Sequence, residues 1–162
     1  MEDVVKGFGL LSLGTRMKRI GERLQADTQE IMGRLGLSLL AGQFPYLAAL
    51  ERLGPLGIGE LSQALGVAQP GVTRSVGQLV ALGLVETASP SGDQRRRVVS
   101  LSSEGRRLVE RSRETVWPAI ETAVADLCGP KGDELLALLS AIEDGLTERS
   151  LAKRIRIAEG EQ

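Results

Sequence analysis

The chain has no histidine, and its single cysteine is Cys128. Without an imidazole there is no Ser-His-Asp triad, no Cys-His pair and no histidine general base, so the commonest routes to nucleophilic and acid–base catalysis are closed. Zinc and copper sites lose their usual ligands on the same ground, and neither a metal nor a cofactor is expected. One thiol cannot close an internal disulfide, in keeping with a reducing compartment. Apolar runs of the roughly 20 residues needed to span a bilayer are missing, so no membrane partner is expected. The opening segment MEDVVKGFGLLSLGTR carries acids and lacks a basic n-region; export is not expected, and the expected location is the cytoplasm. Net charge is also lacking, because 20 basic residues meet 21 acidic ones for a total of −1. Any preference for nucleic acid must therefore lie in where the charges sit.

What is present suits a single folded domain spanning 1–162, with 42% apolar and 25% charged residues. Leu10, Leu13, Met17, Ile20, Leu24 and Ile31 recur at spacings of three and four, with Asp27 in the one missing seat. They share one face of a long helix, which either faces the core or packs against a second chain. A second helix follows Gly36, with Phe44, Leu47, Ala48 and Leu50 on one face, Pro45 in its first turn, and Gly54-Pro55 at its end.

The next stretch carries the most information. Gly59 to Gly66 reads as a two-turn helix with Leu61 and Leu65 on one side. A further helix begins near Pro70, with Val72, Val76, Leu79 and Val80 as its apolar stripe, and stops at Gly83. Two helices joined through a tight glycine turn make a helix-turn-helix. The period then changes. Leu84 to Ala88 reads as a short strand, Ser89 to Asp93 is dense in turn formers, and Arg95 to Leu101 reads as the returning strand. A hairpin directly after a helix-turn-helix is a wing. From Ser102, which offers an N-cap with Glu104 in the first turn, the chain is helical again, with Val109, Val116, Ile120, Ala123 and Leu127 in phase and a kink expected at Pro118. Gly129-Pro130 ends that helix, and a last one carries Leu135, Leu139, Ile142 and Leu146. The fold class is thus mainly α with a small β-hairpin wing: a winged helix-turn-helix over 55–103, flanked by helical dimerisation parts at 8–53 and 104–156.

This order of elements resembles the MarR family of bacterial regulators over roughly residues 8 to 150. The most specific stretch is Gly92-Asp93-Gln94-Arg95-Arg96-Arg97-Val98-Val99-Ser100-Leu101-Ser102-Ser103-Glu104-Gly105. It matches the family pattern of Asp, any residue, Arg, an apolar strand, Leu-Ser/Thr, two residues and Gly. Glu60 to Val67, Thr73-Arg74, Leu79 and Leu82-Gly83-Leu84-Val85 follow the family order as well. Three positions depart from it. Ala68 and Gly71 stand where the family often has Ser or Thr, and Gln94 replaces a common arginine, with Arg96 and Arg97 able to compensate.

The helix near Pro70 buries Val72, Val76 and Leu79 and turns Gln69, Thr73, Arg74, Ser75 and Gln78 outward. Gln and Arg can bond base edges in a major groove, and Thr73 suits a phosphate or a thymine methyl. An ordinary polar helix face has the same composition. The wing tips the balance, because Arg95, Arg96 and Arg97 are adjacent like charges that gain most from an anionic partner. From Leu61 to Ser103 four arginines face only Glu86 and Asp93, a local surplus of +2 inside a chain of net −1. The resemblance implies that Arg95 enters a minor groove with Asp93 steadying it. One winged helix reads few base pairs, so a homodimer on a pseudo-palindromic operator is expected.

The expected function is a sequence-specific double-stranded-DNA-binding transcriptional regulator, by default a repressor, and not an enzyme. A winged-helix module for protein–protein assembly is the competing reading. The resemblance further implies a small aromatic or anionic effector, for which Met17, Tyr46, Arg113 and Trp117 are candidate lining residues; the same residues also suit a core. Some relatives sense oxidation through a cysteine, but Cys128 lies late in the chain, at a helix end. Glu134, Glu143, Asp144 and Glu148 read as a solvated face, GPLGIGELSQALG lacks a Walker lysine, and the basic run from Lys153 to Arg156 reads as an offset to a helix dipole.

Overall fold

The computed structural model describes residues 2–37, 39–89 and 97–155. The chain divides into two compact units, Met1–Ile120 and Glu121–Gln162. Among the described residues no helix is long and apolar enough to cross a membrane.

The first unit opens with a short helix α1 (Val4–Gly7) and a 3-10 turn (Gly9–Ser12) before the long helix α2 (Leu13–Arg34). The expected helix therefore starts later than Leu10. Gly9 adopts a left-handed φ of 54°, and the Ser12 hydroxyl donates to its carbonyl at 3.0 Å, which closes the turn. Only the far end of α2 is anchored in the core, through fully buried Met32. A second 3-10 turn (Ala41–Gln43) leads into α3 (Phe44–Leu53), with Pro45 in the first turn, where a missing N–H costs nothing. Phe44, Tyr46, Leu47 and Leu50 are its buried face.

A two-residue strand β1 (Leu56–Gly57) comes next; the hydrophobic pattern gives no sign of it because it is too short to alternate. Helix α4 (Ile58–Leu65) is fastened at its start by the Gly57 N–H, which donates to the Glu60 carboxylate at 2.6 Å. Left-handed Gly66, at φ 62°, closes it. Helix α5 (Gln69–Ala81) follows, then β2 (Val85–Ala88) and β3 (Val98–Leu101). The sheet is antiparallel in the order β1-β3-β2, with Val85 opposite Leu101, Ala88 opposite Val98, and Leu56 opposite Val99. The returning strand spans Val98–Leu101; Arg97, which the sequence pattern includes in it, precedes it, and Arg95 and Arg96 lie outside the described residues. The core that holds this head together includes Met32, Leu47, Leu61, Val72, Leu79, Val99 and Val109.

Helix α6 (Ser103–Glu114) begins at the expected cap: the Ser102 hydroxyl accepts from the Gly105 N–H at 3.0 Å. Instead of one kinked helix, two follow each other, because α6 ends at Glu114 and α7 (Val116–Cys128) starts after Thr115. Glu114 lies four residues before Pro118, and a proline ring collides with the helical carbonyl four residues earlier. Pro118 is accommodated in the first turn of the new helix. In the second unit, a 3-10 turn (Gly129–Lys131), α8 (Gly132–Glu148) and α9 (Leu151–Arg154) complete the described chain. Arg154 donates to the carbonyls of Gly145 and Arg149, so a basic side chain does cover the end of α8.

The junction of α5, the sheet and α6 is the tightest point of the head. The Ser102 N–H donates to the Leu84 carbonyl at 3.1 Å, and the Ser102 hydroxyl donates to the Gly83 carbonyl at 2.6 Å. A Cβ on Gly105 would lie 2.0 Å from the Leu84 oxygen, so only glycine fits. Gly105→Ala is expected to lower unfolding stability by about 1–3 kcal/mol, and Ser102→Ala by about 1–2 kcal/mol, both measured by urea denaturation. Unchanged midpoints would show that the junction can relax.

Candidate nucleic-acid interface

Helix α5 is held from one side. Val72 and Leu79 are fully buried and Val76 nearly so, while Val80, also placed in the stripe by its spacing, is 41% exposed. Gln69, Thr73, Arg74 and Gln78 are exposed and Ser75 is half-buried. At about 100° per residue, Arg74 stands almost opposite the centre of the buried stripe. Thr73 donates its hydroxyl proton to the Gln69 carbonyl at 3.0 Å, so that proton is committed within the helix. A phosphate oxygen needs a donor, which leaves Thr73 its methyl as the contact it offers without rotating.

Gln78 is not a free amide. Its Oε1 accepts from Nε2 of Gln43 at 2.9 Å, across 35 residues of sequence. Gln43 is only 4% exposed and is the residue that sequence reasoning missed. The available signal is a lone amide inside the apolar run LLAGQFPY, since a buried polar side chain must find partners.

The wing reaches the interface through β2 and β3. Arg97, just before β3, is exposed. Asp93, Arg95 and Arg96 lie outside the described residues. At the start of α5, Ala68 gives no side-chain cap, and its carbonyl accepts from the N–H groups of Gly71 and Val72. A Cβ at Gly71 would come within 3.2 Å of Cγ1 of Val67, so the glycine goes together with that valine. A hydroxyl-bearing residue at Gly71 would require Val67 to shift.

Of the candidate effector residues, the structure brings Arg113 and Trp117 together. The Arg113 guanidinium lies 5.9 Å from the Trp117 ring centroid, and it forms an ion pair with Glu51. The Trp117 ring meets Phe44 edge-on at 6.4 Å. Tyr46 is buried in the core, while Met17 is half-buried on α2, and none of the described contacts joins Met17 to the other three. A different cleft, of about 230 Å³, lies between the end of α2, the α5–β2 turn and α6, with Leu37, Leu82, Leu108, Glu104 and Arg111 in its wall. In the second unit Cys128 is half-buried and borders an open cleft with Lys131 and Glu134. Glu134, Glu143, Asp144 and Glu148 are exposed on α8, and among the described residues no group of three or more His, Cys, Asp or Glu is placed to hold a metal.

Comparison with known proteins agrees with this geometry. The MarR family model matches residues 35–97. The HTH-type transcriptional regulator FarR of Neisseria gonorrhoeae is 34% identical over 107 residues, covering 64% of this chain and 73% of that protein. The transcriptional repressor CouR, solved bound to a 23-mer DNA duplex, is 26% identical with a TM-score of 0.70, over 83% of this chain and 96% of its own. BpsR of Bordetella bronchiseptica, whose DNA binding is regulated by 6-hydroxynicotinic acid, shares the fold with a TM-score of 0.69 at 24% identity, over 82% of this chain and 93% of its own.

Gly77 lies within α5 on the side turned away from the core, and a Cβ there would meet nothing within 4 Å. Gly77→Ala is therefore expected to raise stability by about 0.5–1 kcal/mol, read as a higher urea midpoint. A lower midpoint would mean that the outer face of α5 is more crowded than the geometry allows.

Proposed function

The chain belongs to the MarR family of transcriptional regulators, and on that premise we propose that it is a homodimeric repressor that reads a pseudo-palindromic operator. Helix α5 enters the major groove and presents Gln69, Thr73, Arg74, Ser75 and one end of Gln78. The wing places Arg95 in the adjacent minor groove with Asp93 beside it, and Arg96 and Arg97 meet phosphates. The observation that carries this reading is the one-sided anchoring of α5: Val72, Val76 and Leu79 are buried and Arg74 is exposed on the opposite face, while the sequence places three consecutive arginines just before β3.

Residues 55–103 serve as the reading head, and 8–53 with 104–156 serve as the dimer part. Leu10 and Leu11, both 87% exposed, and Leu127, 70% exposed, are apolar side chains of the kind a second copy would cover. Two heads related by a two-fold axis would read half-sites about 34 Å apart. An aromatic or anionic effector that loosens this spacing would lower affinity. Within this reading Arg113 and Trp117 are the pair to bind it, and a ligand carboxylate would compete with Glu51 for Arg113; Met17 and Tyr46 complete the proposed lining. Occupying the operator represses by excluding polymerase.

The test is fluorescence anisotropy with the gene's own upstream DNA across a salt series. Wild type is expected to bind selectively. Arg74→Ala and Arg95→Ala should each weaken binding about 10- to 100-fold. Selectivity unaffected by both substitutions would sink the residue assignment, and no selective binding at any salt would favour an assembly module instead.

A further inference from the structure

The amide of Gln43 has no freedom of orientation. The Leu40 backbone N–H donates to its Oε1 at 3.1 Å, and a backbone N–H can only donate. Its Nε2 must therefore be the end that faces Gln78, and it donates to Oε1 of Gln78 at 2.9 Å. If the Gln78 amide flipped, two NH2 groups would meet at a side chain that is 4% exposed, which favours the observed orientation on the order of tenfold or more. The turn that holds Gln43 is itself pinned to α2: Oε1 of Gln29 accepts from the Ala41 N–H at 2.8 Å, and Nε2 of Gln29 donates to the Leu39 carbonyl at 3.1 Å. Backbone groups at fixed positions thus set the polarity of the whole series of amides.

A glutamine free to present both ends of its amide matches adenine in the major groove. The Gln78 oxygen faces Gln43, which takes one of its two lone pairs, so the NH2 is the end that remains foremost for a base. We propose that Gln43 is a specificity-determining positioning residue: it orients Gln78 with its NH2 toward the groove, so that Gln78 favours guanine, adenine or thymine edges and discriminates against cytosine, which offers only a donor there. The proposal rests on the reading of α5 as the major-groove helix.

Gln43→Glu reverses the polarity. A carboxylate can only accept, so Gln78 must turn its NH2 inward and its oxygen toward the groove. Gln43→Met has similar volume and no hydrogen-bonding end, and it leaves both orientations open to Gln78. Binding sites are selected from a randomised duplex library with the full-length wild type and with Gln43→Glu, Gln43→Met and Gln78→Ala, after circular dichroism has shown each to be folded. Competition anisotropy then gives the affinity ratio for guanine over cytosine at the position each variant changes. Any uniform loss from the added charge cancels in this ratio.

In wild type one position per half-site is expected to exclude cytosine, and Gln78→Ala to flatten it. Gln43→Met should flatten it in part, and Gln43→Glu should shift the guanine-over-cytosine ratio toward cytosine by roughly tenfold. An unchanged ratio in both Gln43 variants, or in Gln78→Ala, overturns the proposal while leaving selective binding intact. A wild type that selects no consensus overturns the functional reading itself. One measurement requires no variant: the side-chain NH2 protons of Gln43 should be protected from exchange in wild type, and rapid exchange refutes the relay.

Discussion

The carbonyl of Leu84 is the point on which the geometry of the reading head turns. It accepts the Ser102 N–H, and it sits in the space that a side chain on Gly105 would fill. One residue earlier, left-handed Gly83 ends the run from α5, and its own carbonyl receives the Ser102 hydroxyl. The end of α5, the base of the sheet and the first turn of α6 are therefore joined within a few residues. Hydrogen bonds at 2.6 to 3.1 Å leave little room for these elements to move independently. The position of the sheet relative to α5 is inherited from this junction, because β2 starts directly after it and β3 ends directly before it.

A second constraint acts from the opposite side of α5. Buried Val72, Val76 and Leu79 decide which face of the helix is outward, but they say nothing about how an outward side chain is oriented. Gln43 supplies that information for one residue. Its backbone-fixed amide carries a direction from the turn before α3 to the surface of α5. Apolar packing sets the helix face, and hydrogen-bond polarity sets what that face presents.

The order of elements was legible in the sequence because glycine and proline punctuate it so plainly. Gly54, Gly66 and Gly83 each adopt a positive φ where a helix had to stop. The cap at Ser102 and the glycine at 105 were visible as a spaced pattern, although the reason for the glycine, a carbonyl in its path, exists only in three dimensions. The two-residue strand β1 was not legible, since a period of two cannot show in two residues. Pro118 was read as a kink, yet its clash falls on the carbonyl of Glu114, and the helix ends there. In the site, the outward face of α5 followed from periodicity alone. Gln43 did not, because its role depends on a partner 35 residues away. The wing residues Asp93, Arg95 and Arg96 rest on the sequence pattern.

The scarcity of aromatic rings has an optical consequence. Trp117 is the only tryptophan in the chain. Its ring is flanked by Phe44 at the head of α3 and by the guanidinium of Arg113, which also holds Glu51. Indole emission responds to neighbouring charge and to water, and when excited selectively over Tyr46 it comes from one place, where Phe44 of α3, Arg113 of α6 and Trp117 of α7 meet. No label is needed to watch that place. Whatever rearranges the Glu51–Arg113 pair alters the emission colour and yield of the whole molecule.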